Sequence, residues 1–173
     1  YKLGPDFDDA IYAGTGLEFA ALQNAKLVSC TGLVDYLTET PEDYAGLLEE
    51  AAALDLPMVC ANPDIVVQGP GGRLLYCAGA LAEAYEALGG TALYAGKPHA
   101  PIYELAYEAL ARLSGETPPK ARILAIGDGP ATDLAGANRE GLDCLFITGG
   151  INSGEISWPD SRGPRWQAPD LVW

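Results

Sequence analysis

The sequence predicts an α/β protein with parallel strands, organised in two parts. Short apolar runs of three to five residues, such as Ile123-Leu124-Ala125-Ile126, alternate with segments whose apolar residues recur at helical spacing. After Gly90 this alternation becomes a regular β-α-β-α-β succession, which implies right-handed crossovers and a parallel sheet. Several of these runs empty into a polar turn at the carboxyl end of the strand, where open α/β sheets bind ligands.

Composition sets the outer limits. A chain of 173 residues, 49% apolar and 20% charged, has enough length and apolar content to build one or two small cores. Ten basic residues against 24 acidic ones give a formal charge of −14, which argues against nucleic-acid backbones and anionic membranes as partners. No apolar run is long enough for a membrane-spanning helix, and Tyr1-Lys2-Leu3-Gly4-Pro5-Asp6 lacks the charged-then-apolar pattern of a secretion signal. Cys30, Cys60, Cys77 and Cys144 are far apart, with no C-x-x-C pair. They read as small core residues in a reducing, cytoplasmic compartment rather than as a zinc site.

The elements follow in order. Residues 1 to 24 show no clear periodicity; Gly4-Pro5-Asp6 signals a turn, and Asp6-Phe7-Asp8-Asp9, with no apolar strand before it, reads as a solvated turn rather than a metal site. Lys26 to Cys30 is a strand. Thr40-Pro41-Glu42-Asp43 supplies an N-cap, a proline at the first helical position and acidic residues in the first turn. The helix after it places Tyr44, Leu47, Leu48, Ala51 and Leu54 on one face and ends before Pro57. Met58 to Ala61 is a strand running into Asn62-Pro63-Asp64, which local chemistry favours as an Asx-stabilised turn over a ligand contact. Ile65 to Cys77 is a hairpin about Gly69-Pro70-Gly71-Gly72, and Gly79 to Leu88 is a helix stopped by Gly89-Gly90. A domain boundary is therefore expected near Gly90, separating residues 1–90 from 91–173. Beyond it come a strand (Ala92–Ala95), a helix (Pro101–Leu113), a strand (Arg122–Ile126), a short helix (Ala131–Glu140) and a strand (Asp143–Ile147). Ser153 to Gln167 reads as a covering loop, with Leu171-Val172 a last edge strand.

One stretch carries chemistry. The run Ile123 to Ile126, expected to be buried on both faces, ends in Gly127-Asp128-Gly129-Pro130-Ala131-Thr132-Asp133. Asp128 is then at the carboxyl end of a strand, and Gly127 and Gly129 leave the backbone open to a metal ion or phosphate. Thr132 reads as the helix N-cap, with Asp133 in the first turn near the positive end of the dipole. Upstream, Ala92-Leu93-Tyr94-Ala95 delivers Lys97 through a Gly-Lys-Pro turn, so two consecutive strands would present a cation and an anion at one sheet edge. The bland alternative is a strand-turn-helix corner whose Asp caps the helix. His99, the single histidine, reads as a helix-start or surface residue rather than a general base.

Gly96-Lys97-Pro98, followed about 30 residues later by Gly127-Asp128-Gly129-Pro130-Ala131-Thr132-Asp133, resembles the third and fourth motifs of the haloacid dehalogenase (HAD) superfamily. The likeness is greatest to the subfamily IIA phosphatases with a C2-type cap. Cys60-Ala61-Asn62-Pro63-Asp64, Cys77-Ala78-Gly79-Ala80-Leu81 and Thr148-Gly149-Gly150-Ile151 also match that group, so the resemblance covers roughly residues 25 to 151. It implies a C2-type α/β cap over residues 1–90 and the C-terminal half of a Rossmann-like HAD core over 91–173. It also implies Mg²⁺-dependent hydrolysis of a small phosphorylated metabolite through an aspartyl-phosphate. Within that chemistry Lys97 and Asp133 are the implied catalytic residues, Asp128 the metal ligand, and Asn62 and Asp64 cap residues facing the substrate.

The chain departs from the family pattern in its first motif, an apolar strand followed by a D-x-D pair that supplies the nucleophile, and in the second motif's Ser or Thr. Neither is present. The expectation is a fragment of a phosphatase of about 280 residues, inactive alone and a poor Mg²⁺ binder. A start at Tyr1 rather than Met leans the same way. An open apolar strand edge follows from the missing strand, inviting a homodimer or an N-terminal segment that completes the sheet. The alternative is a non-catalytic interaction or regulatory module that pairs through this edge. A nucleotide-binding domain is disfavoured, since no G-x-G-x-x-G or Walker-type loop is present.

Overall fold

A computed structural model describes residues 1–149 and 163–171. Contacts divide the chain into two compact units, Tyr1–Ala95 and Gly96–Trp173. The fold class is the expected one: mixed α/β with parallel strands.

The first unit is built on a four-stranded parallel sheet. Its strands are β1 (Lys2–Leu3), β2 (Val28–Cys30), β3 (Met58–Cys60) and, beyond an antiparallel hairpin of β4 (Val66–Gln68) and β5 (Leu74–Tyr76), β6 (Ala92–Tyr94), in the order β1-β2-β3-β6. Between them lie α1 (Ala45–Ala53) and α2 (Ala78–Ala87). α1 is preceded by a 3-10 turn, Pro41–Tyr44, entered as Thr40-Pro41 predicts, where the Asp43 carboxylate accepts from the Thr40 N–H at 2.8 Å. Alternate residues of β2 and β3, Val28, Cys30, Met58 and Cys60, point into one core with Leu48, Ala51, Leu81 and Tyr85 from the helices. All four cysteines are buried free thiols, as expected. Burial pushes the Cys30 and Cys60 thiols up to about 12 and about 11, so neither is a nucleophile near neutrality.

Two expectations change here. A strand, β1, does precede Gly4-Pro5; its two residues are too few to show a period, and its pairing with β2 is what reveals it. The carboxylates after it occupy a 3-10 turn, Asp6–Tyr12, in which Asp6 and Asp9 are exposed and pair with Lys2. β6, expected to open the second part, instead closes the first sheet: Met58 pairs with Ala92 and Cys60 with Tyr94. Backbone pairing with β3, which the apolar pattern does not encode, decides its membership.

The second unit holds α3 (Ala100–Ser114), β7 (Leu124–Gly127), α4 (Ala135–Glu140), β8 (Asp143–Ile147) and β9 (Trp166–Ala168), with a parallel sheet ordered β7-β8-β9. His99 is the N-cap residue of α3. Its core is small: Leu134, Ala137, Leu142, Cys144 and Phe146, with Tyr103, Ile123 and Ala125 packed on them. β9 lies where a loop was expected and Leu171 is outside any strand; Arg165 anchors β9 by donating to Asp143 at 2.6 Å and stacking on Trp166. Residues 153–162 and Val172 lie outside the described residues.

β7 is not buried on both faces. Among the described residues it pairs with a strand on one side only, and Leu124 and Ile126 are 45% and 38% exposed. Ile123 and Ala125, on the opposite face, do reach the core. Among the described residues β7 is an edge strand of its sheet.

Candidate active site

The loop after β7 is held together by one buried carboxylate. Pro130–Leu134 forms a wide, π-type turn before α4, with Gly129 rather than Thr132 at the N-cap. Thr132 lies within the turn because the chain must fold back for Asp133 to meet the backbone it has just left. There Asp133 Oδ2 accepts from the Gly129 N–H at 3.1 Å, the task expected of a capping side chain. Asp133 Oδ1 accepts from the Lys97 ammonium at 2.5 Å. The Asp133 side chain is 11% exposed and that of Lys97 51%, so the pair has an inner anion and an outer cation open to solvent.

The glycines act differently from expectation. A Cβ on residue 127 would lie 2.1 Å from Asp133 Cγ, and one on residue 129 would lie 2.1 Å from Thr132 Oγ1. The space left bare at Gly127 is filled by the protein's own Asp133 carboxylate rather than kept for a metal ion or phosphate. The cation and anion are also not delivered by two strands of one sheet, since β6 belongs to the first unit's sheet. The tight pair is instead Lys97 with Asp133, one turn beyond the strand end.

Of the predicted residues, Lys97, Asp128 and Asp133 fall in the second unit, and Asn62 and Asp64 in the first. Asp128 is half-buried directly after β7. Asn62 Oδ1 accepts from the Asp64 N–H at 3.2 Å, forming the expected Asx turn. Asn62 also lines a cavity of about 190 Å³ with Asp8, Thr31, Gly32, Tyr36 and Tyr76. The Asp64 carbonyl accepts from the Gly79 N–H at 3.2 Å, pinning the start of α2. Sequence reasoning missed the reason for Gly79: a Cβ there would lie 2.2 Å from the Pro63 carbonyl oxygen.

Magnesium binds through carboxylates, phosphates and water in near-octahedral geometry. Asp133 has both oxygens engaged, by Lys97 and by the Gly129 N–H, while Asp128 directly follows β7. Among the described residues no group of three or more His, Cys, Asp or Glu side chains is placed to hold a metal ion.

Comparison with known proteins decides the family. Residues 94–172 match the HAD-hydrolase-like family model. A haloacid dehalogenase-like hydrolase from Brucella suis 1330 is 45% identical with a TM-score of 0.89, over 99% of this chain and 65% of that one. Residues 94–172 of this chain belong to the HAD-hydrolase-like family. The same fold recurs in a thermostable NPPase from Geobacillus stearothermophilus, 24% identical with a TM-score of 0.72 over 96% of this chain and 62% of that one. It recurs again in a p-nitrophenyl phosphatase from Archaeoglobus fulgidus, 17% identical with a TM-score of 0.69 over 96% and 63%. This HAD-like chain thus spans just under two thirds of the length of each. None of the proteins of curated function matches it. Among the described residues no helix is long and apolar enough to cross a membrane.

Proposed function

We propose that this chain is the cap and the C-terminal half of the core of a subfamily IIA phosphatase, the first unit being the cap. In this reading the complete protein hydrolyses a small phosphomonoester through an aspartyl-phosphate. The observation that carries it is the Lys97 ammonium, half in solvent and fixed at 2.5 Å by a buried carboxylate, in the same unit as Asp128 at a strand end. A transferring phosphoryl group needs preorganised positive charge, and a lysine held by an inner anion supplies it without reorganising during reaction. Asp133 orients Lys97 and the Gly129 backbone. Asp128 would help hold a Mg²⁺ ion, which would offset phosphoryl charge when bound. The names of the p-nitrophenyl phosphatases sharing this fold support the reaction class.

The place of β7 at the edge of its sheet among the described residues supports a second part of the reading: an apolar strand carrying the D-x-D nucleophile pairs along it. The test is single-turnover trapping with a phosphomonoester and Mg²⁺. The complete natural protein is expected to form acid-labile phosphate, and the 173-residue chain is expected not to. Acid-labile phosphate on the chain alone would overturn the division of labour, and none on either would overturn the phosphatase reading.

A further inference from the structure

The Lys97–Asp133 pair joins residues that lie just ahead of α3 and α4, so the way those two helices pack sets the distance between ammonium and carboxylate. Tyr103 and Tyr107 are one turn apart on α3, and Gly136 and Glu140 are one turn apart on α4. The two rows meet. The Tyr103 hydroxyl oxygen lies 2.0 Å from where a Cβ on residue 136 would stand, and its Cζ 2.8 Å away, so the phenol tip rests on bare helix backbone. One turn further, the Tyr107 hydroxyl donates to Glu140 Oε2 at 2.9 Å. Lys120 donates to the Glu140 carbonyl at 2.6 Å and to Oε2 at 3.2 Å, closing this second contact.

Alanine at 136 would be the better helix former, yet the position holds glycine and gives its space to the phenol. We propose that Tyr103 is a positioning residue: its contact with Gly136 sets the approach of α3 to α4 and thereby holds Lys97 against Asp133. This inference rests on the phosphatase reading for its purpose, though its geometry does not. The electrostatics agree with the placement: burial, and after it the Asp133 charge, push the Tyr103 phenol up to about 12.

The test reads the ion pair itself. In the 173-residue chain labelled with ¹⁵N, the Lys97 ammonium is assigned by its loss in Lys97→Met, and its hydrogen exchange is measured at low temperature. Gly136→Ala is expected to speed that exchange at least tenfold, and adding Tyr103→Leu to it, which clears the space, to return the rate to within twofold of the parent. A folded Gly136→Ala chain with unchanged exchange would overturn the proposal. If Gly136→Ala does not fold, Tyr103→Ala removes the contact without adding atoms: tenfold faster exchange supports the proposal, and an unchanged rate overturns it. In the complete protein, Gly136→Ala is expected to lower kcat at least tenfold at unchanged KM, and faster exchange with unchanged kcat would overturn the catalytic purpose. Ammonium exchange needs no substrate, so a protein without phosphatase activity would remove the reaction while the contact is still judged on exchange alone.

Discussion

The two units use the same parallel-sheet architecture with cores of different size. In the first, β2 and β3 lie inside the sheet, and the face that carries Val28, Cys30, Met58 and Cys60 is sealed by α1 and α2. In the second, the strand that bears the candidate site is at the sheet edge among the described residues, with Leu124 and Ile126 on its more exposed face. Even α3 turns apolar residues outward, Leu113 being 86% exposed. The difference teaches that packing and chemistry are separable: the first unit holds the larger buried core, while the second carries the ion pair on a smaller one.

That contrast can be broken by mutation. The largest effect is expected in the larger core, where Tyr85 is fully buried and its hydroxyl donates to the Leu56 carbonyl at 2.5 Å. Tyr85→Ala should cost about 4 kcal/mol in denaturant unfolding, as large-to-small core changes do. Next comes Lys97→Ala, which leaves the inner Asp133 carboxylate with the Gly129 N–H and no cation. About 2 kcal/mol is expected for a buried acceptor stripped of a charged partner, after allowing for the solvent around Lys97.

A smaller effect appears with pH. The Tyr107 hydrogen bond, and after it Lys120, hold the Glu140 carboxyl below the usual range. A lowered folded-state value means that the unfolded chain binds the proton first, so this contribution is complete above about pH 4.3 and is lost as pH falls through the folded value. Acid titration of unfolding should show that loss in the parent and not in Glu140→Gln. At alkaline pH the sign reverses: the Tyr103 and Tyr107 phenols, pushed up to about 12 mainly by burial, stabilise below about pH 10 and lose that contribution as pH rises toward their folded values. The smallest effect belongs to the more exposed face of β7, where Leu124→Gln and Ile126→Gln should each change stability by less than about 0.5 kcal/mol. A loss of several kcal/mol at either position would mean that this face is already covered.

Much of this was legible in the residues, for reasons that differ by element. The hairpin from Ile65 to Cys77 and the entry Thr40-Pro41 follow from turn and capping chemistry, which is local. Lys97, Asp128 and Asp133 were singled out by a glycine-flanked carboxylate at a strand end and by their spacing. What local patterns did not hold was pairing. β1 is two residues long, β6 joins the sheet before it rather than the one after, and β9 lies where breakers suggested a loop. Nor did they show the contacts that make Gly79, Gly127 and Gly136 necessary, since each glycine accommodates an atom from elsewhere in the fold. A glycine inside an apolar helix pattern, as at 79 and 136, was the available signal.

The most direct test of the central claim is the turnover of p-nitrophenyl phosphate by the complete natural protein with and without Lys97→Ala, at saturating Mg²⁺. Removing a preorganised charge from a phosphoryl site is expected to lower kcat by about 100-fold or more. An unchanged kcat would contradict the account, because the fixed cation would then have no part in the reaction.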